Sequence, residues 1–94
     1  MRVRWLKRAL LDLDEAEGYI SQDDPQAAAE VVLRIVMAVS LLKEQPGIGR
    51  AGRISETKEL IVANTPFIVP YRVKNDSVQV LRVYHSSRKW PRRI

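Results

Sequence analysis

Near its C-terminus the chain reads Leu81-Arg82-Val83-Tyr84-His85-Ser86-Ser87-Arg88-Lys89-Trp90-Pro91, which sets its only histidine among arginines, a lysine and two aromatic rings. Each residue type brings a chemistry. Arg and Lys neutralise phosphates, Tyr and Trp stack on bases or anchor an interface, and His moves a proton near neutral pH. Arg82, Tyr84, His85, Arg88, Lys89 and Trp90 therefore form the candidate target-binding set, and Arg72 in the preceding apolar run adds a cation. Each also has a plainer reading. Trp90-Pro91 can pin the tail against the core, Tyr84 can be core, and a lone His85 can serve as a structural hydrogen-bonding group.

Other chemistries fit less well. One His and no Cys leave no metal site, and Asp12, Asp14, Glu15 and Glu17 read as the solvated face of a helix. Ser86 and Ser87 follow His85 directly, with no strand-to-helix elbow to present a nucleophile. Gly47, Gly49 and Gly52 lack the spacing of a phosphate loop, and no helix follows them. Neither a metal nor another cofactor is expected.

The elements that must hold these residues follow from periodicity. Val3 and Trp5 alternate with Arg2 and Arg4, a short strand with one buried face. Leu6, Leu10, Leu13, Ala16 or Glu17, and Ile20 recur at helical spacing, giving a helix over 7–20. Asp24 as N-cap and Pro25 at the first position open a second helix over 25–45, with Ala28, Val31, Val32, Ile35, Val39 and Leu42 inward. Gln45-Pro46-Gly47 stops it. Residues 47–57 read as a loop, followed by strands at 59–63, 67–73 and 78–85. Asn64-Thr65-Pro66 and Asn75-Asp76 supply the turns. Arg72 and Arg82 fall mid-strand. Pro70 cannot donate to a ladder, so an edge, a bulge or an outward-facing position is expected there. The order is β-α-α-β-β-β: one α+β domain over residues 1–94, an antiparallel sheet covered on one face by an N-terminal helix hairpin.

Composition bounds the partners. Residues 1–45 carry six Lys/Arg against eight Asp/Glu, and residues 46–94 carry ten against three. A polycationic second half on a near-neutral support suits nucleic acid or an acidic protein. The absence of cysteine suits a reducing cytoplasm. The apolar run over 31–42 is broken by Arg34 and Ser40 and reads as a buried helix, too short to span a bilayer, so no membrane partner is expected.

These features together resemble the RelE/ParE superfamily of toxin–antitoxin toxins. The resemblance rests on the element order, Asp24-Pro25-x-Ala27-Ala28, Pro46-Gly47-x-Gly49-Arg50, Lys58-Glu59-Leu60, Tyr71-Arg72-Val73, and Leu81-Arg82-Val83-Tyr84-His85 with Arg88-Lys89-Trp90-Pro91. It covers nearly the whole chain. It implies a toxin of a type II module, of the kind often called plasmid stabilisation proteins, neutralised by a cognate antitoxin through which alone it would meet operator DNA. It also implies one of two activities. ParE-like members poison DNA gyrase without a nuclease site. RelE-like members cleave mRNA on the ribosome without a metal, and in that case His85 would transfer the proton while Arg72 and Arg82 stabilise the phosphate. Ile68 stands where the nuclease branch commonly has an arginine, and Ser86 and Ser87 stand where a cation or tyrosine commonly follows. The gyrase inhibitor is therefore the expectation, with the nuclease as alternative and a non-toxic binding module as a third.

Overall fold

The computed structural model describes residues 1–87; Arg88, Lys89 and Trp90 of the candidate set lie outside the described residues. The chain runs β1 (Arg2–Trp5), α1 (Lys7–Ser21), α2 (Pro25–Ser40), a 3-10 turn (Leu41–Lys43), β2 (Arg50–Ala51), β3 (Lys58–Ile61), β4 (Phe67–Lys74), β5 (Ser77–Val80) and β6 (Tyr84–His85). The α+β order holds. The loop expected over 47–57 contributes the two-residue β2, and the last predicted strand is split into β5 and β6.

Local chemistry starts and stops each element. Asp24 caps α2 by accepting from the Ala27 N–H at 3.1 Å, with Pro25 at the first position. Asn75 and Asp76 take φ of 52° and 59°, the left-handed pair that a two-residue hairpin between β4 and β5 requires. At the β3–β4 turn Asn64 has φ 62°, and the Thr65 hydroxyl donates to the Val62 carbonyl at 3.0 Å.

The sheet order is β1-β5-β4-β3-β2, with β6 pairing β4 beyond the end of β5. β2 to β6 pair antiparallel, but β1 lies parallel to β5 with Val3 opposite Val78 and Trp5 opposite Val80. The sheet is thus mixed, which corrects the antiparallel expectation. Alternation reveals which face of a strand is buried and not its direction; the two helices between β1 and the meander supply the long crossover that a parallel neighbour needs. Ile35, Val39 and Leu42 of the helix layer pack with Leu60, Val69, Tyr71, Val78 and Val80 of the sheet. Leu10, expected inside, is 47% exposed, and Ala9 takes the buried position instead. The stretch Pro25–Lys43 is long and apolar enough to cross a membrane, mean hydropathy 1.5. It is not wholly buried as expected: Ile35, Val39 and Leu42 face the sheet while Leu33, Val36, Met37 and Leu41 face outward.

Pro70 sits in the central strand, opposite Glu59 of β3. On its other side the chain bulges. Tyr71 pairs Val80, but Ile68 pairs Tyr84, so one extra residue enters between β5 and β6. The Pro70 carbonyl accepts from both the Leu81 N–H (2.9 Å) and the Arg82 N–H (3.5 Å), the signature of a β-bulge. The bulge falls where proline lacks the N–H that a regular ladder would use. Arg82 is consequently between strands rather than mid-strand.

Two buried groups tie down the loop after α2. The Tyr71 hydroxyl donates to the Pro46 carbonyl at 2.7 Å and accepts from the Gly49 N–H at 2.9 Å. A side chain at position 49 would meet that hydroxyl at 2.6 Å, which is why glycine stands there. Glu59, only 2% exposed, accepts from the Arg50 guanidinium at 2.9 and 3.1 Å and from the Arg53 N–H at 2.9 Å. Burial alone would raise its carboxyl, but the Arg53 N–H and the Arg50 guanidinium outweigh that and hold it below the ordinary range. Because the folded value is the lower one, this stabilisation is complete above the unfolded pKa of about 4.3 and is lost as pH falls through the folded value. Glu59→Gln is expected to cost about 1–3 kcal/mol at pH 7 and to flatten the loss of stability below about pH 4, measured by urea denaturation across pH.

Candidate functional site

Beyond Val80 the edge of the sheet changes hands. β1 ends at Trp5, and the Leu6 N–H closes the ladder on the Val80 carbonyl at 3.0 Å. The next edge N–H, on Val83, would be buried without a strand partner, since Val83 is 3% exposed. Asp12 of α1 takes that place. Its Oδ2 accepts from the Val83 N–H at 3.0 Å and from Arg82 Nε at 2.7 Å, and its Oδ1 accepts from Arg82 Nη2 at 3.0 Å. The two-pronged hydrogen bond to Asp12 holds the Arg82 guanidinium above its ordinary range and fully charged. The guanidinium also lies 4.7 Å over the Tyr84 ring.

Asp12 is therefore buried, against the expectation of a solvated helix face. The spacing of Ala9, Asp12, Leu13, Ala16 and Ile20 already carried the signal, because position 12 lies on the inner stripe. Asp14, Glu15 and Glu17 are exposed as expected.

The remaining candidates divide between two faces. Phe67 belongs to the core under the helices, and His85 pairs with it in register. The His85 ring meets the Phe67 ring edge-on at 5.5 Å, on the helix side of the sheet. Its Nδ1 accepts from the Ser87 N–H at 3.2 Å and lies 2.7 Å from the Ser87 hydroxyl. Arg72 occupies the opposite face, its Nε donating to Oε1 of the Gln79 side chain at 2.7 Å. Tyr84 is 2% exposed and shares that outer face with Ile68, its register partner, so its ring is core and offers no stacking surface. The structure thus brings Arg82 and Tyr84 together, and it separates His85 from Arg72.

Between α1 and the starts of β4 and β6 runs an open groove of about 480 Å³, with walls of Ala16, Tyr19, Ile20, Pro66, Phe67 and Val83 and His85 at its edge. Its lining is mostly apolar. Tyr19 stands 76% exposed there. No group of three metal-ligating side chains occurs among the described residues.

The Asp12 contact generates a prediction. Asp12→Asn leaves the Arg82 charge, with its side chain 11% exposed, facing an amide, and is expected to cost about 3–5 kcal/mol in urea denaturation. Asp14→Asn, two positions away on the exposed face, is expected to stay within about 0.5 kcal/mol of the parent.

Three comparisons with known proteins agree. Residues 3–90 match the family model described as the ParE toxin of the type II toxin–antitoxin system parDE. The chain is 52% identical over 90 residues to Y4kP of Sinorhizobium fredii, a protein named as a toxin, covering 96% of this chain and 93% of that one. It is 36% identical over 87 residues to toxin RelE2 of Caulobacter vibrioides, covering 93% and 97%. Its fold superposes on a chain of the chromosomal ParDE toxin–antitoxin system from P. aeruginosa with a TM-score of 0.82 at 31% identity, covering 90% of this chain and 95% of that one. With a mixed sheet under a helix hairpin and a family match over almost its full length, the chain belongs to the ParE toxin family of type II toxin–antitoxin systems.

Proposed function

We propose that this toxin acts by binding a protein, as an inhibitor of DNA gyrase, and that a cognate antitoxin neutralises it. The relatives carry names from both branches of the superfamily, so the choice between targets rests on the site. The observation that carries it is the separation of the candidate nuclease groups. His85 lies on the helix side of the sheet and Arg72 on the other, so they do not converge on one phosphate. Arg82, the third member, is clamped by Asp12. A general base must reach the proton it abstracts, and His85 Nδ1 faces the Ser87 N–H and hydroxyl of its own chain. All three features support a toxin that works through contact rather than bond cleavage. In that reading Arg88, Lys89 and Trp90 supply the gyrase-binding surface, since Trp and Arg are the residues on which such interfaces commonly turn. The site of action is then the cytoplasm.

The groove between α1 and the sheet is where we place the antitoxin, which lays an apolar segment along Ala16, Ile20 and Phe67 under the exposed Tyr19 ring. Tyr19→Ala is expected to weaken the antitoxin complex about tenfold or more by isothermal titration, the loss of about 1.4 kcal/mol or more that an aromatic anchor carries. Unchanged affinity would place the antitoxin elsewhere.

The target is tested by inducing the chain in a host and following growth, message integrity and supercoiling by purified gyrase. Wild-type protein and His85→Gln are expected to be equally toxic and to block supercoiling, while Arg88→Ala and Trp90→Ala lose both effects. A nuclease would instead lose about 10²–10⁴ in rate with His85→Gln, cleave messages and leave gyrase active. Absence of toxicity in the wild-type chain would leave a binding module.

A further inference from the structure

The face of the sheet turned away from the helices carries a regular array of cations. Val3, Trp5, Val78 and Val80 pack under the helices, so their strand neighbours Arg2, Arg4, Ser77 and Gln79 present the opposite face. Register then aligns two rows. Arg2 pairs Ser77, which pairs Lys74; Arg4 pairs Gln79, which pairs Arg72. Each row is a cation, a polar side chain and a cation across three hydrogen-bonded strands. The columns on β1 and β4 stand about 10 Å apart, and the rows about 7 Å apart along the strands. Arg2, Arg4 and Lys74 are exposed, and none of the ion pairs among the described residues engages any of the four cations. Arg72 donates to the Gln79 side chain and also lines a cavity of about 450 Å³. That cavity adds Lys7, Arg8 and the hydroxyl-bearing Ser55 and Thr57, with no carboxylate on its walls.

We propose that this outer face binds the phosphodiester backbone of duplex DNA, directly and without sequence preference. The spacing suits the occupant, because the two columns are about as far apart as the strands flanking a groove, whose widths are about 6 and 12 Å. Duplex DNA is favoured over single strands because single-strand sites use exposed rings on which bases stack, and no exposed aromatic ring lies on this face among the described residues. An acidic peptide is disfavoured because the two rows hold no apolar anchor. Of the exposed acids among the described residues, Asp14, Glu15, Glu17, Asp23, Asp24, Glu30 and Glu44 belong to the helix layer or its connections, and Glu56 and Asp76 lie in loops beside the sheet, so negative charge is concentrated on the helix side. Such a field turns the sheet toward a polyanion. Direct contact with DNA goes beyond both the gyrase reading and the expectation that DNA is met only through the antitoxin.

The test uses purified full-length chain free of antitoxin, a fluorescein-labelled duplex of about 20 base pairs, and anisotropy titrations across a range of KCl. The duplex is long enough to cover this face, at one charge per about 1.7 Å of helix axis. Wild-type protein is expected to bind with Kd of about 1–100 µM near physiological salt, with a log–log salt slope of about −3.6 for four phosphate contacts. The double substitution Arg4→Gln, Arg72→Gln, with an unchanged circular dichroism spectrum, is expected to reduce that slope by about 2 and the affinity about tenfold or more. Arg34→Gln with Lys43→Gln, on the helix side, is expected to leave both unchanged. Equal slopes for wild type and the sheet double variant would overturn the proposal, as would single-stranded RNA displacing the duplex at lower concentration than unlabelled duplex does. Neither gyrase nor antitoxin is present, so the outcome is independent of the target assay.

Discussion

Asp12 holds the molecule together at the place where its two layers would otherwise part. β1 leaves the sheet after Trp5, and proline at position 70 removes a ladder donor from the central strand on the same side. The chain answers with a bulge at Leu81 and Arg82, which delivers the Arg82 guanidinium and the Val83 N–H to one carboxylate on α1. A buried ion pair of this kind adds little net stability over apolar packing, but removing either partner strands a charge. Its contribution is geometric. It sets where α1 lies against β6, and thereby the width of the groove beside Phe67 and His85.

The same bulge decides the chemistry of the C-terminal residues. With one extra residue in the strand, Val83 and His85 face the helices while Tyr84 turns outward beside Ile68. In an unbulged strand, the register of β5 would have carried through and exchanged these faces, because a one-residue shift moves every side chain to the other side. His85 so placed borders an apolar groove. Arg72 stays with the cations of the outer face, on the opposite side of the sheet from His85. The fold thus gives the toxin two separate surfaces, an apolar groove under an acidic helix layer and a cationic sheet face behind it. A protein partner suits the first and a polyanion the second.

Glu59 and Tyr71 do for the glycine-containing loop what Asp12 does for α1. Each is buried, each accepts main-chain N–H donors from the loop, and each sits on a central strand. Burial pushes the Tyr71 phenol up, which keeps its proton in place to donate to Pro46. Three buried polar side chains therefore tie irregular backbone to regular backbone. In a chain of 94 residues without disulfides, that is how long connections are kept in one conformation.

Much was legible in the sequence, because it depended on local rules. Asp24-Pro25 begins α2, Asn75-Asp76 adopts the positive φ of a tight hairpin, and alternation gave Val3 and Trp5 one buried face. The toxin family followed from ordered short motifs over nearly the whole chain, and Pro70 announced a ladder defect. What only the tertiary structure decided lies between elements distant in sequence. The parallel pairing of β1 with β5 depends on a crossover, which strand periodicity does not encode. The burial of Asp12 depends on a carboxylate meeting two groups 70 and 71 residues away. The separation of His85 from Arg72 depends on a single inserted residue, whose position along the strand no hydropathy pattern reveals, since apolar residues flank the bulge on both faces. Sequence by itself determined which residues could do chemistry and what elements carry them. Long-range pairing decided which of them share a face, because facing is set by register, and register is set by partners rather than by neighbours.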